Sequence, residues 1–270
     1  MPNWIPLDSK RHKDYGVKPV KNFGFTQNDN LCTVLIAELR NVIHQTPVVF
    51  AKNAMAEYEL CSLQGLEDNK NYLVGENGVW KGSYIPSHYR SYPFIMATEK
   101  NSDKKILCFD ETAGLVAKHE KSSEFKLFDE DAKPAKHTLK ILEFFKSVDE
   151  NRKITGKAVK IIDKEGLLED WTLKIKAGSQ EKVINGIKKI NFTKFNSLNP
   201  EILKTLKDAG ALEIIFGHYF SMSTLEKLVK LPTKKIEEGY KSHKDRALAR
   251  KTTAEKKEVD NLVQNLLLDD

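Results

Sequence analysis

Residues 137–170 read HTLKILEFFKSVDENRKITGKAVKIIDKEGLLED, and this stretch decides the fold class that the sequence predicts. Its apolar residues recur at helical spacing along one face. They are Leu139, Leu142, Phe145, Val148, Ile154, Val159, Ile162 and Leu167. The pattern therefore predicts a long helix whose apolar face packs against other elements.

Segments with strand character flank this helix on both sides. Residues 48–50, 58–66, 94–100 and 105–111 precede it, and residues 171–177 and 182–195 follow it. We expect a turn at Asn101–Asp103 to pair two of the preceding strands. Because strand pairs and helices occur in blocks, the sequence predicts an α+β fold with a mixed or mainly antiparallel sheet and packed helices.

The segment 197–231 has clear helix boundaries. Asn199 is a typical N-cap, Pro200 follows at the first helical position, and Gly210 ends the helix. The apolar run 211–220 then predicts a strand, and another helix follows it.

The N-terminal part of the chain is less regular. Residues 1–30 are polar and contain three prolines, which predicts an extended arm. Residues 31–45 place leucines at helical spacing and predict a helix that Pro47 terminates.

The predicted domain organisation is a body followed by a tail. Residues 1–231 form the body, with a sub-boundary near residue 135, and residues 232–270 form a charged helical tail. Between residues 233 and 258 the tail carries nine basic and five acidic side chains. Residues 259–267 contain an apolar stripe at helical spacing. We expect either a solvated or frayed terminus or a helix that contacts the body or a partner.

Charge composition argues against specific nucleic-acid binding. The chain carries 44 Lys and Arg against 38 Asp and Glu, a net charge of +6. The basic residues are mixed with acids, whereas a nucleic-acid binder concentrates them in one stripe.

Cysteine usage and hydropathy predict a cytoplasmic protein. Cys32, Cys61 and Cys108 are too far apart for a CxxC pair, and their odd number favours reduced thiols. No stretch resembles a signal peptide or is long enough to cross a bilayer. Surface association by a route without a signal peptide is the alternative.

Motifs for a cofactor or a metal are not evident. Gly75, Gly78 and Gly82 match neither the dinucleotide nor the P-loop spacing, and the seven histidines form no metal-binding pair. The acidic run 128–131 is more typical of a turn than of a calcium loop. We therefore expect no cofactor and no metal.

An aromatic stretch carries the clearest functional signal. Residues 78–94 read GVWKGSYIPSHYRSYPF. Trp80, Tyr84 and Tyr92 suit either a binding surface or a core, because they combine large apolar area with polar tips. Arg90 can hold a carboxylate in a bidentate fork or pair internally.

Two residues outside this stretch are also candidates. Asp110 ends a predicted strand, either near a cleft or in a simple turn. His218 lies in the apolar run 211–220, where a neutral imidazole can bond across the core or act as an acid or base.

The run W-x3-Y-I-P-x3-R-x-Y-P-F, from Trp80 to Phe94, resembles the signature region of the bacterial SapC family. Other segments resemble this family in the same order along the chain. They are 47–50, 63–66, 71–74, 110–111, 127–129, 210–212 and 218–221. Tyr219 and Met222 depart from the leucines of the family's last motif. The resemblance covers residues 1–231.

The resemblance implies a role in a bacterial surface layer (S-layer) or another cell-surface system, and it supplies no catalytic residues. Our first hypothesis is a soluble, non-catalytic accessory or binding protein with a protein or peptide partner. The alternative is an enzyme, or an enzyme partner, that modifies surface proteins or peptides in a pocket around Arg90, Asp110 and His218. The candidate binding residues are Trp80, Tyr84, Arg90, Tyr92, Asp110 and His218.

Overall fold

The computed structural model describes residues 2–99, 104–118, 125–177 and 180–230. It confirms the α+β class, and every strand pair in the described residues is antiparallel. The predicted turn at residues 101–103 and the tail at 232–270 lie outside the described residues.

The strands form three sheets. They are β1 (Trp4–Pro6), β2 (Tyr15–Val17), β3 (Leu31–Thr33), β4 (Val48–Lys52), β5 (Tyr58–Leu63), β6 (Phe94–Thr98), β7 (Lys105–Asp110), β8 (Val116–Lys118), β9 (Phe125–Lys126), β10 (Leu168–Ala177) and β11 (Gln180–Ile190). The five-stranded sheet has the order β10-β11-β4-β5-β3. The two three-stranded sheets have the orders β1-β7-β6 and β8-β2-β9.

The helices are mostly short, with one exception of 29 residues. They are α1 (Ser9–His12), α2 (Leu39–Val42), α3 (Ser87–Arg90), α4 (Lys136–Lys164), α5 (Phe192–Asn196), α6 (Pro200–Asp208), α7 (Ala211–Ser221) and α8 (Leu225–Lys230). At a rise of about 1.5 Å per residue, α4 is about 44 Å long. It is therefore long enough to pack against more than one hydrophobic core.

Helix α4 joins two hydrophobic cores. Its C-terminal half buries Val159 and Ile162 in a core formed with the five-stranded sheet, α6 and α7. Its N-terminal half packs Ile141, Leu142 and Phe145 against a second core on β6, β7 and the β2 sheet. The long helix predicted within residues 137–170 is thus confirmed as far as Lys164, whereas Leu167 lies beyond its end and residues 168–170 begin β10. Leu139 and Ile154 of the predicted apolar face are about half exposed.

The α6 boundaries follow the sequence signals. Asn199 Oδ1 accepts a hydrogen bond from Ile202 N–H at 2.9 Å, and Pro200 is the first helical residue. Gly210 adopts φ +73°, a left-handed conformation that glycine reaches without steric cost. The chain can therefore turn directly from α6 into α7.

The strand predicted over residues 211–220 is wrong, because this run forms α7. Its buried residues include Ala211, Ile214, Ile215 and His218, and their spacing is that of one face of a helix. Phe216, Tyr219 and Phe220 on the opposite face are 43–59% exposed. Because these exposed residues are also apolar, the sequence shows no alternation between an apolar and a polar helix face. A short apolar run cannot be assigned from periodicity when both faces are apolar.

Two N-terminal predictions are also corrected. The arm predicted over residues 1–30 contains β1 and β2, which pair with β7 and with β8 and β9. The helix predicted over residues 31–45 begins as β3 and becomes helical only from Ile36, first as a 3-10 turn. In both cases tertiary pairing overrides local propensity.

The three cysteines are free, as the sequence predicted, and the structure shows that all three are buried. Burial raises the pKa of Cys61 to about 12, so its thiol is protonated at neutral pH. Within the described residues, no helix is both long enough and apolar enough to cross a membrane.

Replacing Ile162 with alanine tests the packing of α4. Ile162 is fully buried, and its truncation should lower the free energy of unfolding by about 2–5 kcal/mol through lost transfer energy and a new cavity. The matched control on the same helix is Leu139→Ala, which should change stability by no more than about 0.5 kcal/mol. Urea unfolding followed by circular dichroism measures both, and equal effects would contradict the assigned helix face.

Candidate functional site

The signature segment, residues 80–94, runs from an isolated β-bridge to the start of β6. Trp80 pairs with Val74, and the one-turn helix α3 begins directly after Pro86. The Tyr92–Pro93 peptide bond is cis, and Phe94 is the first residue of β6. Between these ends the segment packs Trp80 and Tyr89 into a further hydrophobic cluster that contains Phe23 and Val74.

Glu38 places a carboxylate inside the protein, with only 4% of the residue exposed. Its Oε1 accepts hydrogen bonds from the Tyr84 hydroxyl at 2.8 Å and from Ser87 N–H at 2.6 Å. Its Oε2 accepts from the Ser87 hydroxyl at 2.8 Å and from Leu35 N–H at 3.1 Å. Four donors thus offset the desolvation of the buried charge and attach the signature segment to the turn before α2.

Arg90 lies on the solvent side of this carboxylate. Its Nη2 donates to Tyr84 Oη at 3.0 Å and is 3.7 Å from Glu38 Oε1. The guanidinium carbon lies 5.4 Å from the Tyr84 ring centroid and 5.5 Å from the Phe144 ring centroid, within cation–π range. The side chain is nevertheless 45% exposed. Arg90 is therefore held between two rings while it still meets solvent.

Tyr92 connects the segment to a second buried carboxylate. Its hydroxyl donates to Asp110 Oδ2 at 2.9 Å, and its ring stacks on Phe25 at a centroid distance of 4.1 Å. Asp110 Oδ1 accepts from Asn3 N–H at 3.0 Å and from the N–H and hydroxyl of Thr112 at 3.0 and 2.7 Å. Burial opposes ionisation, but these hydrogen bonds outweigh it and hold the pKa of Asp110 below its usual value.

Both tyrosine hydroxyls act as donors to these carboxylates. Burial, reinforced by the hydrogen bond to Glu38, raises the pKa of Tyr84 to about 12. Burial and the hydrogen bond to Asp110 likewise raise the pKa of Tyr92 to about 12. The two phenols are therefore protonated at neutral pH and join the segment to its surroundings.

His218 lies in a different part of the molecule, between two diverging strands. Strands β4 and β11 pair only at Phe50 and Ala51. Beyond that point, His218 Nδ1 donates to Val48 O at 2.7 Å and Nε2 accepts from Ile190 N–H at 3.3 Å. Both ring nitrogens are used by the neutral tautomer, and burial lowers the pKa of His218. The imidazole thus links β4 to β11 inside the core.

The remaining aromatic residues of the segment pack in two places. Trp80 is partly buried, donates Nε1–H to Tyr84 O at 3.1 Å and meets the Tyr89 ring edge-on. Tyr89 is buried and donates to Gln64 Oε1 at 3.1 Å. Phe94, at 4% exposure, belongs to the core of β6 and β7.

A surface groove lies between the signature segment, residues 17–23 and the N-terminal half of α4. Its volume is about 400 Å³, it is open to solvent, and its lining is mainly apolar. The lining residues are Val17, Lys18, Pro19, Val20, Phe23, Tyr89, Arg90, Ser91, Tyr92, Pro93, Phe94, His137, Lys140, Ile141, Phe144 and Phe145. Such a volume lies in the range of small-ligand sites.

Comparison with known proteins identifies the family. The SapC family model matches residues 7–228. The chain belongs to the SapC family. No curated protein and no solved structure shows a significant match to it.

The residues matched to the SapC family include the whole groove and both buried carboxylates. Of the candidates predicted from the sequence, the structure brings Arg90 and Tyr92 together at the groove. Trp80 and Tyr84 lie outside its lining, although Tyr84 contacts Arg90 directly. Asp110 and His218 have separate hydrogen-bond partners and do not line the groove.

Three residues at or near the groove were not predicted from the sequence. Glu38 is the one acid in the apolar run 31–39, and a charge within such a run is a signal for a buried polar site. Lys140 and Phe144 lie on α4, and the helical periodicity of that segment predicts which residues are buried but not which residues line a groove. Among the residues described, no cluster of three or more His, Cys, Asp or Glu side chains is suited to hold a metal.

Replacing Glu38 with alanine should be strongly destabilising. The change leaves the donors of Leu35, Tyr84 and Ser87 without their acceptor, and the expected loss in unfolding free energy is about 3–5 kcal/mol. Glu150→Ala on the exposed side of α4 is the control and should stay within about 0.5 kcal/mol. A Glu38 variant as stable as the control in urea would show that the carboxylate does not anchor the segment.

His218 should make stability depend on pH. Its folded-state pKa is lowered, so the unfolded chain binds a proton that the folded chain does not as pH falls below about 6.5. The free energy of unfolding should then decrease by up to about 1.4 kcal/mol per pH unit from this residue. In His218→Gln the dependence between pH 7 and 5 should be weaker than in the wild type. Parallel pH profiles for the two proteins would contradict the assignment.

Proposed function

We propose that this SapC-family chain is a non-catalytic binding protein of a bacterial cell-surface system, such as an S-layer system, and that the groove holds a peptide segment of a protein partner. The observation that carries the proposal is the groove itself. It combines an apolar, aromatic lining with an exposed cation whose position is fixed by Tyr84 and Phe144. Aromatic and arginine side chains at such positions dominate the binding energy of many interfaces.

The dispersal of the other candidates supports binding over the alternative of an enzyme. An acid–base site requires its groups to reach the same substrate atoms. Asp110 is occupied by Asn3, Tyr92 and Thr112, and His218 by two backbone groups of the core. Arg90 is the candidate with an exposed charge at the groove.

The proposed body ends at residue 231, and the family match up to residue 228 supports this boundary. We assign the charged tail, residues 232–270, a separate role in which the apolar stripe at 259–267 docks as a helix on the body or on a partner. The proposed location is the cytoplasm or the cell surface.

Site-specific photo-cross-linking in the bacterium that encodes the chain tests the proposal. A benzoylphenylalanine at Ile141, inside the groove, should form a defined adduct with a protein of the cell surface. The same group at the exposed Lys160, on the same helix outside the groove, should not. Arg90→Ala should reduce the adduct at position 141 by about tenfold, which corresponds to about 1.4 kcal/mol of lost binding energy.

Two controls keep this experiment interpretable. Arg40→Ala removes an exposed positive charge away from the groove and should leave the adduct unchanged. Because the ion pair of Arg90 is partly exposed, Arg90→Ala should alter stability by no more than about 1 kcal/mol. Adducts that form equally at 141 and 160, or that persist in Arg90→Ala, would overturn the groove as the binding site.

A further inference from the structure

The charged groups that line the groove share one sign. Arg90 and Lys140 line it together with Lys18, and no Asp or Glu is present among the described lining residues. His137 also lines it, but burial and the neighbouring Lys140 lower its pKa, so it is neutral at pH 7. An occupant that complements this lining carries a negative charge at the edge of the groove.

Arg90 has the geometry to bind a carboxylate. Within the described residues, the hydrogen bond and the ion pair of its guanidinium both use Nη2. The rings of Tyr84 and Phe144 fix the orientation of the group, which reduces the entropy lost when a ligand binds. The hydrogens on Nε and Nη1 and the second hydrogen on Nη2 thus remain for an anion. One fork that includes Nη2 can bind a carboxylate, and the planar guanidinium matches carboxylates better than an ammonium does.

The lining beyond Arg90 favours apolar side chains. Phe94, Ile141 and Phe145 belong to the core of β6 and β7 and also line the groove. A volume of about 400 Å³ is at the lower end of small-ligand sites, so it accommodates about one to three residues rather than a long segment. The occupant therefore combines a negative charge with a small number of apolar groups.

The end of a peptide fits these requirements better than an internal segment does. An internal segment would bury backbone N–H and C=O groups against an apolar lining on both sides of an acidic side chain, and each unpaired group is costly. At a free carboxyl terminus, the last residue itself supplies both the carboxylate and the apolar side chain. Because the groove is open to solvent, the rest of the partner can continue out of it.

We propose that the groove recognises the free carboxyl terminus of a partner protein whose last residues are apolar, with Arg90 binding the terminal carboxylate. This inference rests on the proposed function and names the ligand class of the same site. Lys140 at the edge adds long-range attraction, whereas Arg90 provides the directed hydrogen bonds.

Peptide binding to the full chain tests the inference. The probes are fluorescein-labelled hexapeptides with a final residue pair drawn from Leu, Ile, Val, Phe and Tyr, each prepared as the free acid and as the amide. By fluorescence anisotropy, at least one sequence should bind as the acid about tenfold or more tightly than as the amide. Arg90→Ala should reduce this ratio to about one, and Arg90→Lys should give an intermediate ratio. Arg40→Ala should preserve it.

The outcomes separate the inference from the proposed function. If acid and amide bind equally, and Phe144→Leu weakens both, terminal recognition is overturned while peptide binding in the groove stands. If no peptide binds and no adduct forms at position 141, both fail. Decanoate tests whether the carboxylate comes from a fatty acid instead of a peptide. If decanoate binds to the wild type but not to Arg90→Ala, and no peptide binds, the ligand is a fatty acid and the inference is overturned. The comparison of acid with amide on the wild-type chain does not depend on any variant folding.

Discussion

The buried carboxylate of Glu38 is the constraint on which the site depends. A charge inside an apolar interior persists only where donors replace the water it has lost. Here the signature segment supplies three of the four donors, through Tyr84 and Ser87. Tyr84 and Ser87, the polar residues that face the interior, therefore stabilise the fold, and their bonds to Glu38 fix the backbone between Trp80 and Arg90. The same arrangement determines where the guanidinium of Arg90 can lie.

The two sides of the signature segment have different roles. On the inner side, Tyr84 and Tyr92 donate to Glu38 and Asp110, so each phenol is committed to a buried carboxylate. On the outer side, Arg90 and the Tyr92 ring border the groove opposite α4. Helix α4 packs on both cores, and Ile141, Phe144 and Phe145 of its N-terminal half line the groove opposite the segment. The chain that follows β2 completes the lining.

Much of the fold could be predicted from local patterns. Strand character in residues 48–50, 58–66, 94–100 and 105–111 indicated β4, β5, β6 and β7, and the helical spacing of apolar residues in 137–170 indicated α4. Asn199, Pro200 and Gly210 marked the ends of α6, because each has a specific backbone or capping preference. The run 211–220 was assigned wrongly, since its exposed aromatic face made the segment uniformly apolar. Strands β1 to β3 were missed because their pairing partners are distant in sequence.

The candidate site could be predicted only in part. By itself, the sequence determined the α+β class, the long central helix, the reduced cysteines and the set of aromatic residues between Trp80 and Phe94. Only the tertiary structure decided that Arg90 and Tyr92 share a groove with Lys140 and Phe144, and that Asp110 and His218 lie elsewhere. The physical reason is that residue type and spacing report local conformation and burial. Which distant side chains meet depends on the packing of α4 across two cores and on the hydrogen bonds that a buried Glu38 requires.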